Sequence, residues 1–134
     1  MEKTLILIKP DAVERNLIGK IISFYEEGGL KVVALEMKQI NDDFAAEHYY
    51  EHKGKVFYEP LIQFITRSPL CAMILEGENA IEKAREINGA TDPEKQKKGT
   101  IREAYAISTR ENCVHASDSL ESAKREINLW FPGV

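Results

Sequence analysis

Three histidines are the only side chains in this sequence that titrate near neutrality, and they fall at His48, His52 and His115. An unprotonated imidazole can attack phosphorus or carbon and later leave again, so each is a candidate nucleophile, base or metal ligand. His115 stands in Asn112-Cys113-Val114-His115-Ala116-Ser117-Asp118, after a short apolar run and before a helix that the pattern starts near Ser119. Such a position exposes a side chain at the rim of a sheet, close to helix N-terminal amides that favour an anion. Glu126 lies further along the same helix and can fold back to orient the ring, as the acidic member of a triad does. His48-Tyr49-Tyr50-Glu51-His52 satisfies the HxxEH pattern of inverted zinc proteases, with two imidazoles four apart on an expected helix. No third ligand from a downstream acidic helix can be identified, so lining a pocket or capping a helix surface is the preferred reading. By spacing alone, His115 stays open between a structural and a chemical role.

Phosphate chemistry would need positive groups, and the usual backbone devices are missing: there is neither a GxxxxGK[ST] loop nor a GxGxxG turn. Side chains would have to do the gripping. Lys9 ends an apolar strand, Arg85 comes late in a helix, and Lys95, Lys97, Lys98 and Arg102 surround a polar stretch. Arginine suits phosphate best because its planar fork gives two parallel hydrogen bonds. The lysines at 95, 97 and 98 read instead as solvated surface charge. With a net charge of −4 and a pI near 5.5, no global positive field draws in nucleic acid.

The elements that must carry these residues follow from periodicity. Leu5 to Ile8 reads as a buried strand stopped by Pro10. Ile18, Ile21, Ile22 and Tyr25 recur at helical spacing before Gly28-Gly29. Lys31 to Ile40 is a second strand with Val33, Leu35 and Met37 on one face. Asn41 looks like an N-cap for a helix running to about Tyr50, and Tyr58, Leu61, Ile62 and Ile65 mark another before Pro69. Leu70 to Leu75 is a third strand, and Asn79 caps a helix ended by Gly89. Ala90 to Gly99 lacks a core-forming pattern and reads as an ordered excursion. Asn112 to His115 forms a short fourth strand, and Ser119 to Leu129 a closing helix with Leu120, Ala123 and Ile127 inward. The order is β-α-β, a helical hairpin insert, then β-α-β. It predicts an α+β, ferredoxin-like split βαβ fold, with an antiparallel four-stranded sheet and helices on one face.

The 134 residues suit one domain, 1–134, and 43% hydrophobic with 30% charged residues allows a core without disulfides or metal. Cys71 and Cys113 show no CxxC or zinc spacing and sit in apolar runs, as buried thiols do in a reducing compartment. No signal-peptide h-region and no apolar stretch approaching the ~18 residues of a membrane helix is visible, so the expected location is cytoplasmic, without membrane partners.

Asn112 to Ser119 resembles the active-site signature N-x-x-H-[GA]-S-D of nucleoside diphosphate kinases. The resemblance extends through Thr4–Ala12, Glu47-His48-Tyr49, Phe57–Leu61, Leu75–Ala80, Gly89–Pro93 and Gly99–Arg102, in the family's order over nearly the whole chain. It implies transfer of the terminal phosphate of a nucleoside triphosphate, chiefly ATP, to a nucleoside diphosphate by a ping-pong route through a phosphohistidine at His115. It further implies that Glu126 holds the ring, partly through Ser117, and that Tyr49 lies close to it. Lys9 and Asn112 would bind sugar hydroxyls and the attacked phosphate region, and Arg85, Thr91 and Arg102 would clasp the phosphates. Phe57 would stack on the base with Leu61 on the pocket wall, a sequence-tolerant contact because every base has a π-face. Mg²⁺ would be held mostly by the nucleotide, with Asp118 contributing through water. A homo-oligomer, hexamer or tetramer, is implied, with no specific nucleic acid as partner.

Where the family usually has Gly-Asp-Phe, this chain has Glu103-Ala104-Tyr105. Thr109 and Arg110-Glu111 also depart from the common pattern before Asn112. A nucleotide-binding module without turnover would lack catalytic groups, yet these are all present. An RNA-binding sheet would need paired aromatics and a basic face, which the chain does not have.

Overall fold

A computed structural model describes residues 1–134. Its strands are β1 (Glu2–Ile8), β2 (Lys31–Lys38), β3 (Leu70–Gly77) and β4 (Val114–Ala116). They form one antiparallel sheet in the order β2-β3-β1-β4. The helices are α1 (Pro10–Glu14), α2 (Ile18–Glu27), α3 (Asp42–His48), α4 (Tyr58–Thr66), α5 (Ala80–Asn88), α6 (Ile101–Tyr105) and α7 (Leu120–Trp130). The ferredoxin-like α+β fold is present.

Helices cover both faces of this sheet, where one was expected. Successive strand residues point to opposite sides. Ile6, Ile8, Met73 and Leu75 pack with Ile21 and Tyr25 of α2 and with Ala80 and Ala84 of α5. Leu5, Leu7, Ala72 and Ile74 pack on the other side with Ala45 of α3, Ile62 and Ile65 of α4, and Trp130 of α7. Double coverage explains why β1 reads as an unbroken apolar run: both of its faces are buried. The hairpin insert and the closing helix make the second layer.

Local signals hold at some ends and fail at others. Asn41 caps α3 by accepting from the Phe44 amide at 2.8 Å, and Ser119 caps α7 by accepting from Ser122 at 3.0 Å. Asn79 does not cap with its side chain. It adopts a left-handed backbone, and the Ile81 amide donates instead to Glu2 Oε1 at 2.9 Å. The stripe of α7 is Ala123, Glu126 and Trp130, all buried, whereas Leu120 in its first turn is exposed. In β2, a bulge falls between Val32 and Ala34 and breaks the expected alternation at Val33. Val33, Leu35 and Met37 are exposed on this edge strand. Two short helices, α1 and α6, carry too few residues to show periodicity in the sequence.

Candidate active site

β1 and β4 set the centre of the site. Their pairing places His115 opposite Leu7 and Val114 opposite Ile8, so the imidazole shares the sheet face that α7 covers. Because Glu126 lies on the buried stripe of α7, it meets the ring directly: His115 Nε2 and Glu126 Oε1 are 2.8 Å apart. An ionised carboxylate can only accept. With the carboxylate accepting, Nε2 is the donor of this contact, and Nδ1 is the ring nitrogen that Glu126 leaves free. Ser117 does not stand between them. Its hydroxyl donates separately to the same Glu126 oxygen at 2.8 Å and accepts from the Leu5 amide at 3.3 Å. Glu126 is thereby tied to β1 as well as to the ring.

Lys9, the first residue beyond β1, donates from Nζ to Asn112 Oδ1 at 2.9 Å. Burial, with help from the Arg102 charge, lowers its ammonium pKa to about 8. Arg102 in α6 is buried and holds three backbone carbonyls, those of Gly89 and Val114 at 2.7 Å and of Asn112 at 3.4 Å. Guanidinium has five N–H donors, so capacity remains for an anion after these contacts. Arg85, near the end of α5, is exposed and reaches the Asp118 carbonyl at 3.4 Å. Hydrogen bonding from Ser122, with the Arg85 charge nearby, holds the Asp118 carboxyl below its ordinary pKa.

These groups converge on one cleft of about 1890 Å³. Lys9, Tyr49, Phe57, Leu61, Arg85, Thr91, Arg102, Asn112, His115, Asp118 and Glu126 all line it; Ser117 lies behind, fully buried. Phe57 is 41% exposed, with its ring edge-on to His52 at 5.2 Å, so a flat apolar face is open near the cleft mouth. Lys95, Lys97 and Lys98 are exposed as expected, yet Lys95 and Lys97 also edge the cleft. Among the departures from the family pattern, Thr109 and Arg110 are exposed at the cleft. Glu111 joins Glu14 in holding Arg67, at 3.1 and 2.7 Å.

The HxxEH reading fails on geometry. α3 ends at His48 and His52 falls in a separate 3-10 turn, so the shared helical face never forms. No cluster of three His, Cys, Asp or Glu side chains exists. His48 has a different role: its Nδ1 accepts from Trp130 Nε1 at 3.1 Å, and its ring meets His115 edge-on with centroids 4.8 Å apart. Burial above all, with the facing His115 ring and the Arg125 guanidinium adding to it, pushes its pKa well below 6.5 and keeps it neutral. Tyr49 packs on His48 at 4.6 Å, and burial keeps its phenol protonated. Sequence reading missed the Trp130–His48 pair because its partners lie 82 positions apart. No local pattern records it.

A family model described as nucleoside diphosphate kinase matches residues 2–134. A nucleoside diphosphate kinase of Clostridium perfringens is 66% identical over the whole chain, which spans 94% of that relative. One from Actinobacillus pleuropneumoniae is 56% identical over 98% of the chain and 95% of the relative. Among solved structures, the nucleoside diphosphate kinase of Aquifex aeolicus superposes with a TM-score of 0.95 at 41% identity, covering 98% and 96% of the two chains. With the match running from β1 through the His115 segment to the last helix, the chain belongs to the nucleoside diphosphate kinase family, whose members are phosphotransferases.

Proposed function

We propose that this phosphotransferase works in two half-reactions through a phosphohistidine at Nδ1 of His115. The observation that supports this most is the 2.8 Å contact between His115 Nε2 and Glu126, which leaves the Nδ1 lone pair as the nucleophile. In the first half-reaction, Nδ1 attacks the terminal phosphorus of a nucleoside triphosphate. The N–P bond forms, the bridging P–O bond breaks, and its electron pair leaves with the diphosphate. In the second, a terminal oxygen of another nucleoside diphosphate attacks the phosphohistidine, and the N–P electron pair returns to Nδ1. One anhydride replaces another, and donor and acceptor use one cleft in turn, so ping-pong kinetics follow.

Glu126 stabilises the positive charge that grows on the ring as Nδ1 bonds to phosphorus. Lys9, Arg85 and Arg102 supply the positive field that a transferring phosphoryl group requires. Thr91 adds a hydroxyl to the phosphate subsite, Asn112 and Lys9 take the sugar hydroxyls, and Phe57 with Leu61 receives the base. Tyr49 and His48 wall the nucleophile. Asp118, whose backbone carbonyl meets Arg85 at the cleft, is the carboxylate that would reach the metal through water. This donor set fits Mg²⁺ held chiefly by the nucleotide, because the protein offers no cage of its own. When bound, Mg²⁺ would neutralise phosphate charge.

The test is intact mass after incubation with ATP and Mg²⁺ and no acceptor. The expected result is one acid-labile phosphoryl group per chain, absent in His115→Ala. An unmodified wild-type mass overturns the mechanism. We further propose a cytoplasmic homo-oligomer, tetramer or hexamer. The unpaired thiols of Cys71 and Cys113 suit a reducing compartment, and no helix is long and apolar enough to cross a membrane. The exposed Val33, Leu35 and Met37 on the open edge of β2 support self-association.

A further inference from the structure

The segment that delivers His115 contains a backbone turn that the contacts of the imidazole do not account for. Cys113 is a non-glycine residue at φ +75°, and the Val114 amide donates to the Asn112 carbonyl at 2.9 Å. An i→i+2 bond around a positive-φ residue is a γ-turn of the rare, strained sense. Strain of this kind persists only where the surroundings hold it, and it concentrates at functional sites.

The turn has a geometric purpose. Asn112 and His115 are three residues apart, so a regular strand would send them to opposite faces. In the folded chain both line the same cleft, with Asn112 on Lys9 and His115 on Glu126. The kink at Cys113 resets the alternation between them.

Both polar backbone groups of Cys113 are fastened to the junction of β1 and α1. Its carbonyl accepts from the Lys9 amide at 2.8 Å, and its amide donates to Asp11 Oδ2 at 3.1 Å. Asp11 is 1% exposed, and its other oxygen, Oδ1, has no partner. Burial raises the Asp11 pKa, opposed by the nearby Lys9 charge. A carboxylate kept in so poor a setting, beside the cleft and without a role in holding nucleotide, calls for a structural reason.

We propose that Asp11 is a positioning residue for transfer at His115: its carboxylate clamps the γ-turn at Cys113, which brings Asn112 and His115 to one face in register with Lys9. The claim rests on His115 as the phosphoryl carrier.

Glycine adopts positive φ without the side-chain penalty, so a Cys113→Gly background separates the clamp from any other role of Asp11. The experiment compares wild type, Asp11→Ala, Asp11→Asn, Cys113→Gly and the Asp11→Ala/Cys113→Gly double variant. Each is measured for thermal stability and for phosphohistidine formation from ATP. Asp11→Ala should lower the melting temperature by about 4–10 °C and slow phosphoenzyme formation at saturating ATP by about 10²-fold, with a smaller change in KM. Asp11→Asn keeps an acceptor for the Cys113 amide and should stay within about tenfold of wild type. Cys113→Gly should transfer phosphate at close to the wild-type rate, and in that background Asp11→Ala should lose at most half as much stability. Equal stability loss in both backgrounds would overturn the clamp, as would an Asn variant as impaired as Ala. A wild-type transfer rate in Asp11→Ala would overturn the positioning role. Wild type that forms no phosphohistidine would defeat the proposed mechanism and the catalytic half of this inference together, while the stability comparison would still decide the clamp.

Discussion

The arrangement around the His115 ring makes two predictions. Glu126 is the only acceptor on Nε2, and its own second contact to Ser117 fixes the carboxylate in place. Glu126→Ala should therefore reduce phosphoenzyme formation by between about 10² and 10⁴-fold, the range seen when an orienting acid is removed from a catalytic histidine. Single-turnover kinetics with ATP would read it, and a loss under threefold would exclude the orienting role. Lys9 gives a pH signature. Its pKa of about 8 means the free protein loses this charge above that pH, so kcat/KM for ATP should fall on a basic limb near 8. Bound phosphate favours the charged ammonium, so the same limb in kcat should lie at higher pH. Profiles without a basic limb below pH 9.5 in either parameter would rule Lys9 out as the titrating group.

Helix α7 meets α3 through the Trp130–His48 hydrogen bond, and that contact carries a stability prediction. Folding keeps His48 neutral, while the unfolded chain protonates it near pH 6.5. Below that pH the unfolded state binds more protons, so stability should decline as the pH falls and be fully present above it. Denaturant titrations between pH 5 and 8 should show this slope in wild type and a flatter one in His48→Gln. Trp130→Phe removes the donor and leaves Nδ1 of His48 buried without a partner, at a cost of about 1–3 kcal/mol. The start of α7 is a separate lever. Ser119→Ala should destabilise by about 1 kcal/mol through the lost cap, with far less effect on transfer than Glu126→Ala. A larger catalytic loss from the cap than from the acid would show that helix position, and not the carboxylate, governs the ring.

The whole molecule closes its sheet on both faces but leaves one long edge. β4 is short, whereas β2 runs eight residues with Val33, Leu35 and Met37 exposed. An open apolar edge is a pairing surface unless it is blunted. Leu35→Lys should lower the sedimenting mass to that of a smaller species while the circular dichroism stays native. A wild-type chain that sediments as a monomer at micromolar concentration would defeat the homo-oligomer proposal. The apolar pattern of β2 marks a face, and only the sheet order, which puts β2 at the edge, decides whether anything covers it.

Periodicity and capping determined much of this protein from the sequence alone. The unbroken run from Leu5 to Ile8, the helical recurrence from Ile18 to Tyr25, the cap at Asn41 and the helix start near Ser119 depend on residues within one or two turns of each other. The residues brought to the cleft were legible as types and as a resemblance: histidine is scarce in this chain, and the segment around His115 matches a family signature, whereas Glu126 is one glutamate among many and stood out only through that resemblance. Tertiary structure alone decided the rest. The Cys113 turn is held by Asp11 from 102 positions away, Trp130 reaches His48 across 82, and Glu2 replaces the expected Asn79 cap across 79. Each such contact exists because the order β2-β3-β1-β4 sets chain segments side by side that the sequence keeps apart, and no local free-energy preference encodes that adjacency.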